Sequence, residues 1–124
     1  MRAFDSNVVD LLNDECKLDE VHFIGLGLHD FQLSFGQIRR LQSTHKAGFR
    51  IGGEFETWEG GPSEAPVWKL AGQQPSHFEL VDPLILRLNF ASGDYIEFHS
   101  EEGPYESVLI EFSPQGEATV LEIY

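Results

Sequence analysis

The chain has one cysteine, Cys16, which excludes an intramolecular disulfide and suits a reducing cytoplasm. No apolar run approaches the roughly 18 residues that a membrane-spanning helix needs, and MRAFDSNVVDLL lacks the unbroken apolar stretch of a signal peptide. The chain therefore reads as cytosolic. Bases are scarce: eight Lys and Arg stand against 21 Asp and Glu, a formal charge of −13. Such a surface repels nucleic-acid phosphates and anionic membranes, so neither is expected as a partner.

Catalytic motifs are missing as well. There is no GxSxG elbow, and Cys16, at the end of an amphipathic segment, has the ordinary setting of a core thiol rather than a nucleophile. His22, His29, His45, His77 and His99 show no HxH, HExxH or His-plus-Cys spacing, so no metal is expected. GLGL at 25–28 has two glycines of a dinucleotide fingerprint without the third, and reads as a strand bend. Fourteen glutamates make some pair at a glycosidase-like separation inevitable, which strips that signal of content. The expectation is a chain that is not an enzyme and carries no cofactor.

The length and the 41% of apolar residues suit one domain spanning 1–124. Val8, Val9, Leu11, Leu12 and Cys16 recur at helical spacing, so a short N-terminal helix is predicted from Asn7 to about Glu15 with Ser6 as its cap. From Phe31 onward the period is two: Phe31, Leu33 and Phe35, then Ile38 and Leu41, read as a hairpin. GFRIGGEFETW reads as one strand bent at Gly52 and Gly53, and residues 59–76 have loop composition. Leu84 to Phe90, Tyr95 to His99, ESVLIEF and ATVLEIY complete at least six strands.

The halves resemble each other, with LSF at 33–35 against LNF at 88–90, IRRLQS at 38–43 against YIEFHS at 95–100, and FETW against YESV. This points to an internal duplication of about 21–58 and 78–112. The expected fold is mainly β: an antiparallel β-sandwich or barrel built from two similar hairpin-plus-strand halves, with the helix at one end. The alignment sets Arg39 at the place of Ile96. Arg39 is either shifted by one residue into water or buried beside a carboxylate or carbonyl, where it would shape a pocket.

Charge is unevenly spread. Residues 1–30 carry a net −5, residues 31–53 hold four bases and no acid, and residues 54–124 carry −12. In the acidic runs, Glu54, Glu56, Glu59 and Glu64, and Glu101, Glu102, Glu106 and Glu111, alternate with aromatics. Trp58, Glu59, Glu101, Glu102, Tyr105 and Glu106 are the expected partner-binding residues, with Trp68 a further aromatic anchor, in a carboxylate rim that steers a basic protein. The acid-free stretch would face an acidic patch of this chain or of its partner, and exposed strand edges would permit a homodimer. A second reading places a small-ligand or hydrolytic site near Arg39, Glu97 and His99, since Glu97 and His99 share a strand face and pair an imidazole with an orienting carboxylate.

LNFASGDYIEFHSEEGPYESV resembles small uncharacterised bacterial β-domain proteins in which L-x-F, a glycine turn, a returning strand and a later Tyr-Glu recur. In size, acidity and lack of catalytic motifs the chain is also similar to bacterial immunity proteins. That resemblance implies inhibition of a cationic partner such as a toxin.

Overall fold

In FQLSF every second residue is apolar, so a strand there buries one face: Phe31, Leu33 and Phe35 are fully buried, and Gln32 and Ser34 turn outward. ILRLNF and YIEFH obey the same rule, with Leu86, Leu88, Phe90, Ile96 and Phe98 inward. Strands apolar on one side must stack against others of their kind. The computed structural model describes residues 3–61, 65–100, 107–116 and 118–124. Among these residues, two five-stranded antiparallel sheets form a sandwich and do not close into a barrel.

The first sheet has the order β1 (Val21–Leu26), β2 (Phe31–Phe35), β3 (Ile38–Ser43), β9 (Val108–Phe112), β10 (Val120–Ile123). The second has the order β5 (Glu54–Trp58), β4 (Lys46–Ile51), β8 (Tyr95–His99), β7 (Ile85–Phe90), β6 (Pro75–Asp82). Read from its other edge, the second sheet runs β6-β7-β8-β4-β5. Each sheet is therefore a three-stranded meander from one half of the chain, completed by the last two strands of the other half. The chain changes sheets between β3 and β4 and again between β8 and β9. In this arrangement β5 corresponds in place to β10, so FETW and YESV are not equivalent segments.

Three local expectations are corrected. Gly52 and Gly53 do not bend one strand but turn the β4–β5 hairpin, with Ile51 paired to Glu54. Their φ values of 63° and 83° are those of a two-residue turn that glycine adopts without strain. Helix α1 spans Ser6–Asp14, one residue earlier than expected, and its cap is Asp5, whose carboxylate accepts from the Asn7 N–H at 2.8 Å. The stretch read as loop up to residue 76 holds a buried 3-10 turn, Pro66–Leu70, and the start of β6. Strand β6 escapes a periodicity reading because it lies at a sheet edge and fully buries only Pro75 and Phe78.

Arg39 is shifted into water. A bulge between Ile38 and Arg40 inserts one residue into β3, so Ile38 takes the inward place that Ile96 holds in β8. Arg39 is the extra residue and is exposed.

The helix buries Val8, Val9 and Leu12 and covers the outer edge of the second sheet. Asn13 donates to the Phe78 carbonyl at 2.8 Å and accepts from the Phe78 N–H at 2.7 Å, which satisfies both backbone groups on the open side of β6. Between the sheets, the Phe31 ring lies 5.5 Å from Phe49, 5.1 Å from Trp58 and 6.0 Å from Phe98, centroid to centroid. All three partners belong to the opposite sheet. Phe31→Ala is expected to cost about 3–5 kcal/mol, read as a lower urea midpoint with an unchanged slope. A cost under about 1 kcal/mol would show that the sheets are not held together at this ring.

Candidate partner-binding surface

Strand β5 has a neighbour on one side only, β4, and residues 54–57 are all exposed. Trp58 opposes Ala47 and turns inward, 4% exposed, with its indole N–H donating to the Gly61 carbonyl at 3.0 Å. Its ring is a wall of the core, so it offers a partner no exposed anchor. Residues three apart in a strand fall on opposite faces, so an inward Trp58 sends Phe55 outward. Phe55 is 53% exposed and lies over Gly48, where a Cβ would sit 2.9 Å from its ring. It is the aromatic that this strand presents. Trp68 is also open, 62% exposed, with the Lys69 ammonium 5.7 Å from its ring.

Glu54, Glu56 and Glu59 are exposed; Glu54 and Glu56 flank Phe55 in the chain and by strand alternation lie on the opposite face of β5. None of the three has an ion pair or side-chain hydrogen bond among the described residues. Lys46 and Arg50 lie on the outward face of β4, one strand in. The register brings the end of β8 to the strand end that leads to Glu59, since Ala47 stands between Trp58 and Phe98 and Lys46 opposes His99. Glu101, Glu102, Tyr105 and Glu106 follow Ser100 directly in the chain and lie outside the described residues.

The residues of the alternative site are not brought together. Glu97 and His99 occupy the outer face of the second sheet, whereas Arg39 is on the outer side of the first. Glu97 serves Arg87: one carboxylate oxygen accepts from Nη2 at 2.8 Å and from Nε at 3.1 Å. The guanidinium lies 4.2 Å from the Tyr95 ring centre, with Glu79 at 3.7 Å. Burial opposes its charge, but the hydrogen bond and charge of Glu97, aided by Tyr95 and Glu79, raise the Arg87 pKa. Glu97 is thus the acid of an ion pair, and the pair fixes the outer face of β7 and β8.

Asp94 ties the β4–β5 turn to its surroundings. It accepts from Gln73 Nε2 at 2.9 Å and from the Gly52 N–H at 3.0 Å, and Gln73 in turn accepts from Ser92. The Gln73 bond above all, then those of Gly52 and Ser92, hold its carboxyl below the usual range against the opposing effect of burial. The turn that leads into Glu54 is therefore anchored rather than free. Burial, and then Glu15, push the Cys16 thiol up to about 11. Among the described residues no group of three or more His, Cys, Asp or Glu is placed to hold a metal ion, and no helix is long and apolar enough to cross a membrane.

No known protein family, curated protein or solved structure matches this chain.

Two measurements follow. Because the native Asp94 pKa is depressed, its contribution is complete above the ordinary carboxylate pKa and fades as pH falls through the native value. Asp94→Asn should therefore lose more urea stability relative to the parent at pH 7 than at pH 3, and an equal loss at both would rule out the charged contacts. Cys16 should react with a thiol reagent at pH 8 far more slowly in the native protein than in denaturant, since about one thiol in a thousand is ionised at three pH units below its pKa. Equal rates would place the thiol in solvent.

Proposed function

We propose that this chain is a non-enzymatic binding protein of the immunity type, which neutralises a cationic protein partner such as a toxin through the carboxylates of the β5 edge and of the run beginning at Glu101. The observation that carries this reading is the edge itself: an edge strand whose Glu54 and Glu56, with Glu59 beyond its end, have no cationic partners among the described residues, and whose Phe55 is exposed. Charge on an edge strand also discourages edge-to-edge pairing, but an open aromatic on the same strand does not serve that end. A binding protein uses the charges to steer encounter and the ring as a desolvated anchor.

The edge also constrains how a partner binds. Two copies pairing through β5 would set Glu54 and Glu56 of each against the other, and like charges opposed across strands are destabilising. A basic extended segment meets no such penalty and would gain the unpaired backbone groups of the edge. Lys46 and Arg50, one strand in, restrict favourable contact to the rim and so help to fix the register. The single buried thiol suits a reducing cytoplasm as the place of action.

The test is capture of a basic protein at low salt by the immobilised chain, followed by stopped-flow association. Reversing Glu54, Glu56 and Glu59 to Lys, and separately Glu101, Glu102 and Glu106, should slow association by about 10- to 1,000-fold and flatten its salt dependence. Association unchanged in both triple variants would reject the surface. Reversal that acts only at the second run would reject β5 as the docking edge.

A further inference from the structure

We infer that a groove on the outer side of the first sheet is a binding site for a small oxyanion, a carboxylate or a phosphate, carried on an apolar or planar body. The groove has a volume of about 540 Å³, within the range of small-molecule sites, and Arg39, Ser113, Ser34, His22 and Phe23 line it. The inference is independent of the β5 edge, which belongs to the other sheet.

Arg39 is held from two directions. Its Nε donates to Ser113 Oγ at 2.8 Å, and that hydroxyl lies 3.1 Å from Thr119 Oγ1. Its own carbonyl accepts from Ser34 Oγ at 2.7 Å. A guanidinium carries five N–H donors, and Nε accounts for one. The four on the terminal nitrogens have no acceptor among the described residues. Arg40 lies 3.8 Å from Glu111 and Arg87 is gripped by Glu97, whereas Arg50, which also has no acid partner among the described residues, is not in this groove. A planar fork pinned at its base with both prongs unspent matches the two oxygens of a carboxylate or phosphate.

The lining keeps the fork available. It contains no carboxylate, and five of its eight residues come from the acid-free stretch 31–53. In a chain of net charge −13, a lining that holds an arginine and no carboxylate is what allows an anion to approach. His22 adds a polar ring and Phe23, 49% exposed, an apolar wall. A second hollow of about 400 Å³ adjoins at His22 and Gly36 and is bordered by Asp19 and Glu20. The ligand is therefore anionic at its Arg39 end alone, and a dicarboxylate is disfavoured.

The experiment is a nuclear magnetic resonance titration of the ¹⁵N-labelled full chain, at constant ionic strength, with sodium phosphate, acetate, benzoate and succinate. Saturable shifts at the amides of His22, Phe23, Ser34, Arg39 and Ser113 are expected. Benzoate tighter than acetate and succinate marks the ligand as a carboxylate on a planar body, and phosphate tighter than benzoate marks it as a phosphate. Arg39→Gln should weaken binding about tenfold or more, while Arg50→Gln, on the other sheet, leaves it unchanged. If Arg39→Gln does not fold, Ser113→Ala, which removes the pin and keeps the charge, should weaken binding in the same sense. Absence of saturable shifts with every probe, or shifts centred on Lys46 and Arg50, would overturn the inference, as would binding as tight as the parent's in both the Arg39 and the Ser113 variants.

Discussion

Phe31 packs against rings from β4, β5 and β8, three adjacent strands of the facing sheet. Two of these strands come from its own half of the chain and one from the other. This contact exists only because the chain has already changed sheets after β3, and the mirror crossing after β8 returns β9 and β10 to complete the sheet in which Phe31 lies. Neither half can bury its apolar face alone, since each three-stranded meander lacks the two strands that extend it. Folding should therefore be all-or-none, with the closure of long loops preceding most of the hydrophobic gain.

An open sandwich leaves four edges, and each is defended differently. On β6, Asn13 occupies both backbone groups of Phe78 and the helix covers the strand. On β5 the defence is charge, with Glu54 and Glu56 along an exposed strand. The β10 edge is short, at four residues. Along β1, a register shift follows Val21, and the uncharged run from Val21 to His29 is flanked by Asp19, Glu20 and Asp30. The β5 and β1 edges both leave an aromatic open, Phe55 and Phe23, and of the two it is β5 that carries carboxylates along the strand itself.

Much of this was legible in the sequence, because burial imposes a period. FQLSF, ILRLNF and YIEFH each have one apolar face, and the sandwich presents those faces inward. What escaped detection has physical causes. Strand β6 is half-covered by a helix rather than a sheet, so its alternation is weak. The turn at Gly52 and Gly53 resembles a bulge in composition, and only the pairing of Ile51 with Glu54 separates the two. The bulge that moves Arg39 adds a single residue, which no periodicity over six positions resolves. At the candidate surface the carboxylates of β5 were visible as a run, but the ring among them was assigned to Trp58. Parity within a strand depends on which aromatic the core takes, and a sequence does not state that choice. The residues 101–106 lie outside the described structure, so the second acidic run rests on its position in the chain.

The distribution of charge follows from the same crossing. Residues 31–53 pass from β2 and β3 in one sheet to β4 in the other, so their four bases divide between two outer faces: Arg39 and Arg40 on the first, Lys46 and Arg50 on the second. Each pair lands beside an acid of a neighbouring strand, with Glu111 on β9 next to Arg40 and Glu97 on β8 beside β4. Alternation of sign from strand to strand offsets part of the self-repulsion that a net charge of −13 imposes. The uncompensated acids then fall at the perimeter, on the helix and on the β5 edge, where water screens them most effectively. A perimeter charge adds little to folding in either direction, yet it is the first potential that an approaching molecule meets. Acids gathered at one rim and a groove without a carboxylate in its lining on the opposite sheet are therefore two results of one chain path, the first the surface proposed for a cationic partner and the second the site proposed for an oxyanion.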